Sequence, residues 1–232
     1  MSDAVAAKTT EQGLKGSVTV LEPDRLERAV ARRSAETRAT VPTMEFISVV
    51  NMDAAMEREA QLGCGAVALL IRAAAEALDT VPRVNGAYRD GRYELYSRVN
   101  IGVTIVAHGV HVTPTIFDAD EKTELELATE LAGYYARARE GDLRPAELTG
   151  ATFTIVDASA YDIVALSPMI VAPQAGALAG GPVRAVPVIR NGEVVPGHTM
   201  QLALSVDHRI VHEYHAAAFL EDVKARLERT ET

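Results

Sequence analysis

The sequence holds one cysteine, no tryptophan and only 5% aromatic residues. With Cys64 alone, neither an intrachain disulfide nor an all-cysteine zinc site can form. Its neighbours Leu62, Gly63, Gly65 and Ala66 are small and apolar, and none stabilises a thiolate. That context favours an inert packed thiol over a nucleophile. Cations are also scarce: 23 Lys and Arg stand against 32 Asp and Glu, a formal charge of −9. Such a chain lacks the cationic stripe that binds nucleic acid or an anionic bilayer surface. No apolar run is long enough to span a membrane. Met1 to Gly16 has no apolar signal-peptide core, so the expected compartment is the cytoplasm.

What is present is ordinary globular material: 232 residues, 48% of them hydrophobic. Residues 1 to 20 are small, polar and unpatterned, which predicts a flexible arm before one domain over 21–232. A helix is expected over Arg25–Arg38, with Leu26, Ala29 and Val30 inside and Pro23 in its first turn. Alternation over Met44–Met52 predicts a strand, followed by a helix that Asp53 would cap. The Ala/Leu-rich run Ala66–Leu78 predicts a buried helix. Asp90-Gly91 and Asn191-Gly192 mark hairpin turns, in Tyr88–Tyr96 and between Val183–Arg190 and Glu193–Val195. Val99–Ala107, Val110–Ile116, Ala151–Val156 and Met200–Val206 are further strands, with helices over Glu121–Glu140 and Ala216–Arg229. Ser167–Gly181 is Pro/Gly-rich and reads as irregular. Interleaved strands, hairpins and helices predict an α/β fold with a mixed sheet.

Neither a Walker loop nor a dinucleotide fingerprint follows any strand. The tract Asp207-His208-Arg209-Ile210-Val211-His212-Glu213-Tyr214-His215 does stand out, with three of the six histidines. It follows an apolar strand and precedes an apolar helix, where a ligand can reach a side chain. Three readings are open: a general base, a His-x3-His metal pair, or solvated turn residues. The metal reading is weakened because His208 falls before the helix and no acidic ligand cluster accompanies it.

Taken in order, a set of short motifs resembles the catalytic core of dihydrolipoamide acyltransferases, the E2 components of 2-oxoacid dehydrogenase complexes. Chloramphenicol acetyltransferase is a more distant likeness. The motifs are Arg28-Ala29-Val30-Ala31-Arg32-Arg33, Pro82-Arg83-Val84-Asn85-Gly86, Val99-Asn100-Ile101-Gly102-Val103 and Asp118-Ala119-Asp120. Further on come Gly150-Ala151-Thr152-Phe153-Thr154-Ile155, Ser167-Pro168-Met169-Ile170, Pro173-Gln174-Ala175 and Leu204-Ser205-Val206-Asp207-His208-Arg209. The resemblance implies a CoA-dependent acyltransferase fold and a homotrimer. It makes His208 the base that deprotonates an acceptor thiol or hydroxyl for attack on acetyl-CoA.

The family signature D-H-R-x-x-D-G is matched only in its first half. Its Asp/Asn position holds His212, expected to lie near His208 and to tune the site without binding metal, and its Gly position holds Glu213. The serine that stabilises the family's oxyanion is replaced by Val156, which has no donor, leaving Thr154 and Ser159 as candidate substitutes. No lipoyl or subunit-binding segment is recognisable before the core, and the last residues, Leu227 to Thr232, are polar, which withholds an anchor for larger cages. No CoA-binding residue is identifiable from sequence. The resemblance therefore implies a stand-alone acetyltransferase acting on a small-molecule hydroxyl, as E2-like proteins do on a hydroxymethyl tetronate in natural-product biosynthesis. An E2 core served by lipoyl domains in trans, or a catalytically silent trimeric scaffold, remain the alternatives.

Overall fold

A computed structural model describes residues 8–13, 16–107 and 110–230 of the chain. The His108-Gly109 link between two expected strands lies outside them. A two-stranded ribbon, β1 (Lys8–Gly13) and β2 (Gly16–Val20), precedes helix α1 (Arg25–Thr40). The segment expected to be unpatterned is thus antiparallel β structure where it is described. Asp24 caps α1: its Oδ1 accepts the Glu27 N–H at 2.8 Å, and Glu27 Oε2 accepts the Asp24 N–H at 2.7 Å. Pro23 therefore lies before the cap and not in the first turn. Most of the described side chains of α1 are solvent-facing; Val30 is 40% exposed, and Thr37 is the buried one among those described.

Among the described residues the main sheet has eight strands. They are β3 (Thr43–Asn51), β6 (Ile101–Ala107), β7 (Val110–Val112), β8 (Thr115–Ile116), β9 (Phe153–Asp157), β10 (Gly176–Gly180), β11 (Arg184–Arg190) and β12 (Glu193–Asp207). The path runs β11-β12-β10-β9-β6-β7, with β3 beside β12 and β8 beside β6. β9 is parallel to both β10 and β6, and the other pairings are antiparallel. Helices α2 (Asp53–Leu62), α3 (Ala66–Thr80), α4 (Glu124–Glu140) and α5 (Glu213–Glu228) flank it. A separate hairpin, β4 (Gly86–Arg89) and β5 (Arg92–Leu95), turns at Asp90-Gly91. This is the mixed sheet with flanking helices that the pattern predicts.

The core lies between sheet and helices. Leu70, Ile71 and Leu78 of α3 and Phe219 and Val223 of α5 are buried with Phe153, Ile155, Leu202 and Leu204 of the sheet. The Phe153 and Phe219 rings meet at 5.5 Å, tilted by 58°. Cys64 is buried, and burial pushes its thiol pKa up, as befits a packed thiol. Among the described residues no single helix is long and apolar enough to cross a membrane.

Several elements differ from expectation. β10, Gly-Ala-Leu-Ala-Gly, is a fully buried central strand inside the stretch read as irregular. β12 is one strand of 15 residues running straight through Pro196-Gly197. Pro196 faces Pro187 across the β11 pairing, a position where neither residue needs to donate to the ladder. Val110–Ile116 splits into β7 and β8 around Thr113-Pro114. Asp53 does not cap α2 but is its first residue; its carboxylate instead accepts from the His198 backbone N–H at 3.0 Å and pairs with the His198 ring and Arg190. Thr123 begins α4 with a capping box to Glu126, so that helix starts after Glu121. α5 begins at Glu213, a turn earlier than Ala216.

Candidate active site

β12 ends in Asp207, a carboxylate almost wholly out of solvent. Its N–H donates to Ala175 O at 2.8 Å, and its own carbonyl accepts from the N–H groups of Ile210 and Val211. Arg209 folds back onto it. The Arg209 backbone N–H, Nε and a terminal nitrogen all donate to the Asp207 oxygens, at 2.7 to 3.1 Å. The Arg209 guanidinium also lies 4.7 Å above the Tyr88 ring, and the pair to Asp207 holds its pKa up. Ile210 and Val211 sink into the core at 0% exposure. The turn is therefore pinned at both ends by buried groups.

His208 is the residue this turn presents. Its backbone N–H donates to Pro42 O at 2.9 Å, while its side chain stays 39% exposed. His212 occupies the N-cap of α5 without making a side-chain cap bond. The two rings lie 5.3 Å apart, edge to face, so the expected proximity of His212 to His208 holds. His215 follows at 6.1 Å from His212. Burial, then Arg83 and then His212, push the His215 pKa down, and its Nδ1 is buried without a partner. Glu213 Oε1 lies 3.4 Å from His208 Nε2. Among the described residues no three His, Cys, Asp or Glu converge on a point as a metal set.

The position that the family gives to an oxyanion serine is far from this turn within one chain. Val156 on β9 is level with Ala179 of β10, which is level with Ala203 of β12. β12 ends at Asp207, four residues further along and about 13 Å at strand rise, with His208 just beyond it and two strands over from β9. The two candidate substitute donors differ in how they are engaged. Thr154 Oγ1 donates to Gln174 Oε1 at 2.7 Å, and Ser159 is exposed beyond the strand end. Asp157 accepts from Tyr135 OH at 2.7 Å; burial, and then this bond, hold that phenol above its ordinary pKa.

Many of the other motif residues are polar struts. Asn85 Nδ2 donates to the carbonyls of Tyr96 and Arg98, and Asn100 links Gly150 O to the Asp118 N–H. Gln174 joins Thr154 to Ala151 O. Gly86 has no room for a side chain: a Cβ there would sit 2.6 Å from Glu94 O. A cavity of about 600 Å³ between α4 and the turn at 145–148 is lined by Phe117, Tyr134, Arg137, Arg144 and Glu147, and contains no signature residue.

Against known families, residues 15–232 match the catalytic-domain model of the 2-oxoacid dehydrogenase acyltransferases. The chain belongs to this family. A succinyltransferase component of the 2-oxoglutarate dehydrogenase complex from Bartonella vinsonii subsp. berkhoffii is 30% identical over 218 residues, 89% of this chain and 53% of the relative. An acetyltransferase component of the pyruvate dehydrogenase complex from Zymomonas mobilis is 30% identical over 213 residues, 88% of this chain and 48% of the relative. The chain thus spans about half the length of the curated relatives it matches. Among solved structures, a probable dihydrolipoamide acetyltransferase from Listeria monocytogenes superposes with a TM-score of 0.85 at 26% identity, covering 90% of this chain and 94% of that one. Chloramphenicol acetyltransferase shares the fold, with a TM-score of 0.57 at 17% identity over 84% of this chain and 94% of that one. Within the family signature, Glu213 is the residue whose contact with His208 sequence reasoning missed. Its signal was an acidic side chain at the first position of a helix, five residues after the histidine.

Proposed function

We propose that this chain is an acetyltransferase that moves an acetyl group from acetyl-CoA to a hydroxyl of a small molecule, with His208 as general base. The observation that carries the reading is a half-exposed imidazole held on a turn that buried Asp207, Ile210 and Val211 make rigid. A base must be both accessible and fixed, and this one is. In the step, a nitrogen of His208 takes the acceptor's O–H proton as the oxygen attacks the thioester carbonyl. The C–S bond then breaks, and the same proton leaves on the CoA thiol. No lipoyl group and no metal enters this chemistry.

The separation of the His208 turn from Val156 within one chain favours a site built between copies, and we take that assembly to be a homotrimer, in the cytoplasm. A hydroxymethyl tetronate intermediate of natural-product biosynthesis is the first acceptor to try. The second reading, a core that accepts dihydrolipoyl groups in trans, is favoured by the names of the curated relatives, which are components of dehydrogenase complexes. Purified protein incubated with acetyl-CoA and either hydroxyl acceptors or free dihydrolipoamide, followed by mass spectrometry, separates the two. An acetylated alcohol supports the first; acetyl-dihydrolipoamide alone supports the second.

A further inference from the structure

Glu213 occupies the first position of α5, beside the unpaired N–H groups of the helix start. Its own backbone N–H, and then the hydrogen bond with His208, hold its pKa below the usual carboxylate range. It is therefore an anion at neutral pH. Its side chain is 65% exposed and opens on the same surface as His208. Oε1 stands 3.4 Å from His208 Nε2. A carboxylate offers about four acceptor sites, so most of its capacity is open. The other neighbours of the turn are of a different kind: His212 meets His208 ring to ring, and the Arg83 guanidinium is engaged with the Ile210 carbonyl and the Tyr93 ring.

That geometry constrains what binds at Nε2. An acceptor hydroxyl that gives its proton to Nε2, in the tautomer whose N–H is on Nδ1, comes within hydrogen-bonding range of Glu213 as well. In that tautomer Nε2 donates nothing to Glu213, so the carboxylate is open to a donor from the acceptor. An acceptor with one hydroxyl supplies that donor only by withholding it from His208. An acceptor with a second O–H or N–H one or two carbons away satisfies both groups at once. We infer that Glu213 is an acceptor-specificity residue, and that it selects acceptors carrying a second hydrogen-bond donor near the reacting hydroxyl. This inference rests on His208 acting as the base. A site that bonds a substrate donor discriminates against the analogue that lacks it, and a hydrogen bond to an ionised carboxylate is of the stronger kind.

The test compares two acceptors of matched reach, 1,3-propanediol and its mono-methyl ether 3-methoxypropan-1-ol, with acetyl-CoA as donor. The wild-type protein is expected to favour the diol by tenfold or more in kcat/KM, after correction for its two equivalent hydroxyls. Glu213→Gly should bring that ratio near one while leaving the KM for acetyl-CoA unchanged. Glu213→Gln, which keeps the shape and one neutral acceptor oxygen, should fall between, and its melting temperature controls for folding. Equal ratios in wild type and Glu213→Gly overturn the inference while leaving acyl transfer intact. Acetyl transfer to neither alcohol by the wild type, with CoA release no faster than in His208→Ala, overturns the acyl-transfer reading and this inference with it.

Discussion

Val156 and His208 lie toward opposite ends of the same sheet. Val156 is level with Ala203, and His208 lies beyond the end of β12 at Asp207. If both positions serve one reaction, they serve it across a boundary between copies. Light scattering should then give a mass near three times the 24.8 kDa chain. A monomer mass would contradict a site assembled from two chains.

Val156 offers no donor to a tetrahedral oxyanion. Val156→Ser restores a hydroxyl at a half-buried position that can accept it. One oxyanion donor is worth on the order of 10²–10³ in rate. Steady-state kinetics should show kcat raised tenfold or more, with little change in KM. An unchanged kcat would mean that this position does not face the reacting carbonyl.

Asp207 is expected to matter twice, for stability and for the placement of His208. Asp207→Ala leaves the guanidinium of Arg209, itself about one-third exposed, without its partner. The lower end of the range for breaking a buried pair applies, about 3 kcal/mol. Urea unfolding should report that loss, and turnover should fall at temperatures where the variant is still folded. A variant as stable as wild type would show that the turn does not depend on this pair.

Glu147 gives the fold a pH dependence whose sign can be worked out. Its bonds to Arg144, side chain first and then backbone, together with the charge of Arg137, hold its pKa down to about 2. The folded value is below the unfolded one, so its stabilisation is present above about pH 4.5 and is lost as pH falls through 2. Glu147→Gln should lower the melting temperature at pH 7. The gap to wild type should close as the pH is lowered from 4.5 toward 2. A gap independent of pH would show that the carboxylate charge contributes nothing.

Much of the fold was legible because local chemistry and tertiary structure agree. Asp90-Gly91 and Asn191-Gly192 have the positive φ angles that their hairpins require, and those residues tolerate them. The apolar run Ala66–Leu78 is buried on nearly every side. β10 was not legible, since its glycines resemble turn residues. They are there because of packing: a Cβ on Gly180 would meet Leu70 Cδ2 at 2.5 Å, and one on Gly176 would meet Phe153 at 3.0 Å. No single-sequence pattern reports such an approach. Asp53 was misjudged for a related reason, because the partner that claims its carboxylate, His198, is 145 residues away. At the site, the order of motifs located His208, and its spacing brought His212 beside it. The contact from Glu213 depended on where α5 begins, a boundary that the apolar pattern placed three residues too late.

The most direct measurement is the transfer of acetyl from acetyl-CoA by wild type and by His208→Ala, followed as CoA thiol release together with mass detection of the acetylated acceptor. The side chain is half-exposed and, among the described residues, its hydrogen bond is to Glu213, so its removal should leave folding intact by circular dichroism. Loss of the base should lower kcat by about 10²–10⁴. Wild-type turnover in a folded His208→Ala protein would contradict the account.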